Sequence, residues 1–349
     1  MAGTDTLEIR QLARQFAESE LRPHVEKWDH DAALDPAVLG ELAELGFFGM
    51  LVPESFGGME FDLPTYVAAL EEIAWGEPGM ALLVALSSNA AEHIVRHGSD
   101  AQKQAWLERM ALGEVIACVA RSEEDDSAVR VQRADAGVVL SGTKKWVTNA
   151  RTAQLVLVHT RDASYLVPAD TRGYTVNERA RTLGLRAVDI ADVTFDDVRL
   201  DSDAALSTSD DADGVTGRLG VAAIALGIAQ AALDHACGYA DTREQFSSKL
   251  RNFEGVQFKL ADMAMRTEAT RALLQKAAQE ASLPLAAMAK VFASETAMWV
   301  STQAVQIYGG YGYMRDYPVE KLMRDAKATE LMENVNESER VTIARQLYT

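Results

Sequence analysis

Gln306–Tyr313 (QIYGGYGY) and, shortly after it, Met323–Arg340 (MRDAKATELMENVNESER) decide how the rest of this chain is read. The first stretch sets two adjacent glycines, then Tyr311-Gly312-Tyr313, directly after an apolar helical run ending in Val305, Ile307 and Tyr308. Glycines at a helix end permit positive φ and let backbone come close to a bulky planar or phosphorylated ligand. The second stretch places a carboxylate, Glu333, behind apolar Leu331 and Met332, where exclusion of water would change what it can do chemically. A helix C-cap followed by a solvated acidic face satisfies the same residues, so these stretches alone leave both readings open.

Outward from this point the chain divides into three textures. Residues 1–115 read as helical, with Leu7, Ile9, Leu12, Ala13 and Phe16 at helical spacing. Pro53–Gly58 breaks the pattern, and a helix is expected from Leu63 with Pro64 in its first turn. Residues 116–205 turn to short β-type runs: Val138–Leu140 before an expected Ser141-Gly142 turn, then Leu155–Thr160 and Val193–Leu200. Residues 206–349 return to long-period helix, with candidates near 216–242, 254–281, 285–308, 318–328 and 336–347. Helices, then a compact β unit, then helices is an α+β arrangement and not an alternating nucleotide-binding fold. Acidic, Ser-rich Asp201–Asp213 reads as a flexible linker.

Composition narrows the function classes. With 349 residues the chain is long enough for two or three compact units, and 48% hydrophobic with 25% charged residues is globular. A net charge of −18 disfavours nucleic acid and anionic membranes. An anionic ligand must then be held by local arginines and backbone amides. Apolar runs such as Met80–Leu86 fall far short of the roughly 20 residues needed to cross a bilayer, so no membrane span is expected. No basic, apolar leader opens the chain, and the expected location is cytoplasmic. Cys118 and Cys237 lack metal-ligand spacing and read as buried core residues, and no metal site is expected.

The two C-terminal stretches resemble the signature of the acyl-CoA dehydrogenase family, and the resemblance extends over nearly the whole chain. It includes Leu42–Val52 (LAELGFFGMLV), Gly142–Asn149 (GTKKWVTN) and Arg243-Glu244-Gln245-Phe246. It implies an N-terminal helical domain (1–115), a middle β-barrel-like domain (116–205) and a C-terminal four-helix bundle (206–349). It also implies FAD, with Trp146 and Thr148 against the flavin ring and Ser122 in the loop that wraps it. Arg243 would hold the pyrophosphate of a neighbouring subunit's flavin, joined by Phe246, Gln306, Gly309 and Gly310. That sharing implies a dimer or tetramer, homomeric or heteromeric. Arg is suited to the role because its fork binds two phosphate oxygens together.

Glu333 takes the position of the family's catalytic base. The implied reaction removes the pro-R α-proton of an acyl thioester while the β-carbon passes a hydride to the flavin, giving a trans-2-enoyl thioester. The implied donors to the thioester carbonyl are the Glu333 backbone N–H and a ribityl hydroxyl. Arg218 and Ser127 are implied at the substrate. Some members carry the base on the first bundle helix, where this chain has Gly217. The substrate would be an acyl-CoA or acyl-carrier-protein thioester, since both present the same pantetheine arm. An electron-transfer flavoprotein would be the acceptor.

The sequence departs from the family where cofactor and thioester meet. Arg121–Ala128 (RSEEDDSA) stands in place of Thr-Glu-Pro-x-Ala-Gly-Ser-Asp, and Val188 and Ile190 replace Ser and Thr. Asn334-Val335-Asn336 stands in place of Gly-Thr-Ser. Three readings follow: a flavin dehydrogenase with an altered pocket, a cofactor-poor partner subunit, or other chemistry on an unusual acyl thioester.

Overall fold

The computed structural model describes residues 2–121, 129–134, 137–160, 163–206 and 214–348, with residues 2–5 described as backbone only. The N-terminal helices are α1 (Ala2–Phe16), α2 (Val25–Asp31), α3 (Pro36–Glu44), α4 (Leu63–Gly76), α5 (Pro78–His97) and α6 (Asp100–Ala111). Their starts are legible in chemistry: Asp35, Asp62, Glu77 and Ser99 each accept a backbone N–H at an N-cap. Pro36, Pro64 and Pro78 fill first turns, where a missing N–H costs nothing.

The β region forms two sheets. Strands β1 (Ala117–Ala120), β4 (Leu155–His159) and β5 (Ser164–Pro168) make the first, with β1 parallel to β4. Strands β2 (Val129–Ala134), β3 (Gly137–Thr148), β7 (Ile190–Asp201) and β6 (Tyr174–Arg179) make the second, antiparallel in that order. Leu140, Val156, Val158, Phe195 and Val198 fill the core between them. The expected turn at Ser141-Gly142 is not one. β3 runs straight through it, and a register shift between Leu140 and Gly142 against β7 makes it a bulge, with Ser141 Oγ donating to Asp197 at 2.8 Å.

The C-terminal part comprises α7 (Val215–Thr242), the hairpin β8 (Glu244–Gln245) and β9 (Ser248–Lys249), then α8 (Glu254–Glu280), α9 (Leu283–Tyr308), α10 (Pro318–Thr329) and α11 (Asn336–Gln346). Helix α7 is the axis of the molecule, packing on α4, α5, α8, α9 and α10. Its Ala- and Gly-rich surface allows close crossing: a Cβ at Gly227 would lie 2.4 Å from the Glu71 carbonyl of α4. By length and composition α7 could cross a membrane, a point that counting uninterrupted apolar runs misses, but 78% of that window is buried inside the protein.

Two further expectations are corrected. Cys237 is exposed, because the last turns of α7 leave the bundle and only Ala236 and Ala240 still face inward there. The start of the expected linker is tied down: Gln102 Nε2 donates to the Asp203 and Ala205 carbonyls at 2.6 and 3.2 Å, and Leu206 is buried. Residues 207–213 lie outside the described residues.

Helix α10 holds all three parts together through buried charge. Lys321 Nζ reaches Glu77 at the start of α5 (2.8 Å) and Asp325 (2.6 Å), while Asp325 accepts the Leu185 N–H of the β region at 2.6 Å. Burial disfavours the Lys321 charge, but the Asp325 and Glu77 carboxylates outweigh it and its pKa rises. Arg324 forks onto Asp29 of α2 at 3.0 and 2.7 Å and donates to the Leu183 carbonyl at 3.1 Å. Arg324→Met would leave the Asp29 carboxylate buried without its partner, and should lower stability by about 3–5 kcal/mol. A urea midpoint unchanged from the parent would contradict that role.

Candidate active site

Glu333 sits in the loop between α10 and α11 with φ 60°, a left-handed conformation uncommon for a residue with a side chain. Buried contacts hold it there from both sides. Lys290 of α9 donates its ammonium hydrogens to the Glu330 carbonyl (3.1 Å), the Asn334 carbonyl (2.6 Å) and Asn336 Oδ1 (2.8 Å). Asn336 also donates to Ser294 at 3.0 Å, and Arg218 grips Glu339 of α11 at 2.8 Å. Asn336, one of the departures from the family, thus helps to fix the loop. Burial lowers the Lys290 pKa to about 8, against the pull of the Glu339 and Glu333 carboxylates.

The Glu333 side chain points inward, 6% exposed, onto the first turn of α7. A Cβ at Gly217 would come within 2.5 Å of its carboxyl carbon, so glycine is what lets the carboxylate occupy that space. Asn89 Nδ2 of α5 donates to one oxygen at 3.4 Å, and the Arg121 guanidinium lies 3.0 Å from the other. Tyr66 of α4, Ser88 and Thr216 are buried around the same end. Arg121 and Asn89 were not anticipated as site residues. Arg121 heads the RSEEDDSA stretch, so its place in the family's thioester loop was the available signal. Asn89 carries no local signal: it follows Ser87 and Ser88 where the apolar half of α5 gives way to its polar half.

The residues expected at a flavin fall into two groups. Trp146 stands 60% exposed at φ 54°, its backbone N–H held by Asp192 at 3.0 Å, and half-buried Thr148 follows on the same strand. An aromatic face left bare beside a hydroxyl fits a planar heterocycle. Arg243, at the other end of α7, lines a concavity of about 490 Å³ with Tyr239, Tyr308, Gly309 and Gly310. Its guanidinium lies 5.2 Å from the Tyr311 ring. Gln306 is exposed, Phe246 is 93% exposed, and a Cβ at Gly309 or Gly310 would meet nothing within 4 Å. A cation beside open glycine backbone fits a phosphorylated ligand. At 1.5 Å per helical residue, Arg243 lies about 40 Å along α7 from Gly217. One chain therefore does not bring the Arg243 group to its own Glu333. Arg218 is buried and directs its donors to Glu339 and the Gly214 carbonyl (3.0 Å), so it reaches Glu333 only through α11. Ser122 and Ser127 lie outside the described residues.

Family models for the N-terminal, middle and C-terminal domains of acyl-CoA dehydrogenase match residues 4–114, 118–198 and 215–348. The mitochondrial short-chain specific acyl-CoA dehydrogenase of Bos taurus is 38% identical over an alignment covering 97% of this chain and 89% of its own. Butyryl-CoA dehydrogenase from Megasphaera elsdenii superposes with a TM-score of 0.94 at 32% identity, covering 99% of this chain and 98% of its own. Glutaryl-CoA dehydrogenase from Mycobacterium smegmatis, in complex with FADH2, does so with a TM-score of 0.92 at 27% identity, covering 98% and 94%. The chain belongs to the acyl-CoA dehydrogenase family.

Lys290→Met should free the 330–336 loop, at about 1–3 kcal/mol for each buried acceptor left without a donor. Hydrogen exchange there should rise. The same loop should loosen above about pH 8 in the parent, where a neutral amine has two N–H groups for three acceptors. Global stability should not fall with it. Between pH 8 and the ordinary lysine range the unfolded chain binds the proton that the folded chain has lost, which favours folding as pH rises. Loop exchange that does not respond to either change would remove Lys290 from this role.

Proposed function

We propose that this protein is an FAD-dependent dehydrogenase that converts an acyl thioester to its trans-2-enoyl thioester. The observation that carries the reading is the convergence of the loop between α10 and α11 on the first turn of α7, which presents one water-excluded carboxylate, Glu333, where Gly217 makes room for it. FAD, when bound, supplies the hydride acceptor. Glu333 takes the α-proton, and its pinned loop keeps it from swinging to solvent. Trp146 and Thr148 hold the ring from the middle domain. The names of the relatives support a short acyl chain on CoA. A carrier-protein arm would present the same thioester, and an electron-transfer flavoprotein would be the final acceptor.

Arg243, Phe246, Gln306, Gly309 and Gly310 serve the cofactor of another copy. The 40 Å along α7 is far beyond the ribityl chain that joins a flavin ring to its pyrophosphate. Completing the site therefore takes a dimer or tetramer. Light scattering should give such an assembly, and denaturation should release FAD. Arg243→Ala should weaken FAD retention while leaving Glu333 untouched. A monomer that keeps FAD tightly would contradict the shared site.

Glu333→Gln keeps the shape and removes the base. Flavin bleaching by an acyl thioester should slow by about 10²–10⁴-fold with flavin content unchanged. Bleaching at the parent rate would place the base elsewhere.

A further inference from the structure

The acyl end of the site is polar where a hydrocarbon tail would need it apolar. Among the described residues around Glu333, the buried polar atoms without a hydrogen-bond partner are Asn89 Oδ1, Thr216 Oγ1 and Arg121 Nε, together with the Tyr66 and Ser88 hydroxyls. The last two lie against each other without a bond of regular geometry. Native interiors rarely leave so many donors and acceptors idle in one place, and a hydrocarbon chain laid against them would satisfy none. The cluster comes from four separate places, α4, α5, the first turn of α7 and the residue after β1, around one carboxylate.

The charge in this cluster is one-sided once existing pairs are removed. Glu92, the other carboxylate near Tyr66, pairs with Arg96. His159, 5.0 Å from His93 between ring centres, is held at about 2 by burial and by Arg121, so it is neutral. Lys290, also near Glu333, directs its N–H groups to three acceptors of the 330–336 loop, which leaves Arg121 as the cation facing the site among the described residues. One of its amino groups lies 3.0 Å from Glu333, and its Nε–H is buried with no partner among the described residues. A guanidinium can hold two carboxylates on separate N–H groups, and a carboxylate is the ligand its fork matches.

We propose that this site takes a short acyl thioester carrying a carboxylate about one or two carbons beyond the β-carbon, bound by Arg121 and lined by Asn89, Ser88 and Tyr66. The inference rests on the dehydrogenase reading for where the acyl chain lies. The short reach follows because Arg121 contacts the same carboxylate that must meet the α-carbon. Arg121 and Asn89 are on this account specificity-determining, and Glu333 remains the base.

The test compares succinyl-CoA with butyryl-CoA, which have the same number of carbons and differ in the terminal group. It uses the FAD-loaded protein, with calorimetric binding and flavin bleaching measured separately. Succinyl-CoA should be favoured by at least about 100-fold in kcat/KM, the scale of discrimination when buried polar groups lose their partners. It should also bind more tightly. Arg121→Leu should reverse the preference, Arg121→Lys should restore part of it, and Asn89→Leu should improve butyryl-CoA alone. Preference for butyryl-CoA, or a ratio that Arg121→Leu leaves unchanged, overturns the assignment. If neither thioester bleaches the flavin, the dehydrogenase reading fails by itself. The calorimetric ratio and its response to Arg121→Leu or Asn89→Leu still decide the carboxylate preference.

Discussion

The ionic network buried on α10 is the constraint from which the site follows. Lys321 and Arg324 sit on one short helix and reach α2, the start of α5 and the 183–185 loop of the β region. Each contact is costly to break because the partner is buried too. The helix therefore has one allowed position relative to the three parts of the molecule. The Glu333 loop begins one residue after that helix ends, so its origin is set by charges that never touch a substrate. Lys290 and the Arg218–Glu339 pair then fix the loop and the helix beyond it.

Backbone strain marks the same places. Trp146, Phe246 and Glu333 all adopt positive φ. Such conformations persist only where surrounding contacts over-determine them, and they gather at sites whose work needs a side chain aimed against its backbone's preference. For Glu333 the over-determination is visible in named bonds. For Phe246 it is the two-residue turn between β8 and β9, in which Phe246 and Ser247 both take positive φ.

Much of the fold is legible in the sequence. The helices from α7 to α11 are long apolar-patterned runs, and punctuation such as Pro284, Gly309 and Pro318 separates several of them, so their positions follow from pattern. The Ser141-Gly142 bulge was misread as a turn because the dipeptide suits both, and the choice is made by β7, more than fifty residues away. Glu333 was legible through its motif. The Asn89 contact to it spans 244 residues, and no periodicity reports on that. Lys290 escaped for a different reason. Two of its three acceptors are backbone carbonyls, which any sequence would provide, and a lysine on an apolar helix reads as an outward-facing stripe.

The length of α7 also has a thermodynamic side. On the proposed assembly each cofactor is held by groups from opposite ends of two such helices, so association of chains and retention of flavin are linked equilibria. Each must strengthen the other by the same free energy. Dilution then becomes a chemical variable: cofactor loss would follow subunit concentration, and the melting temperature of the loaded protein would rise with it. A sequence change that never approaches the flavin, but weakens the contact between copies, would register first as a paler protein.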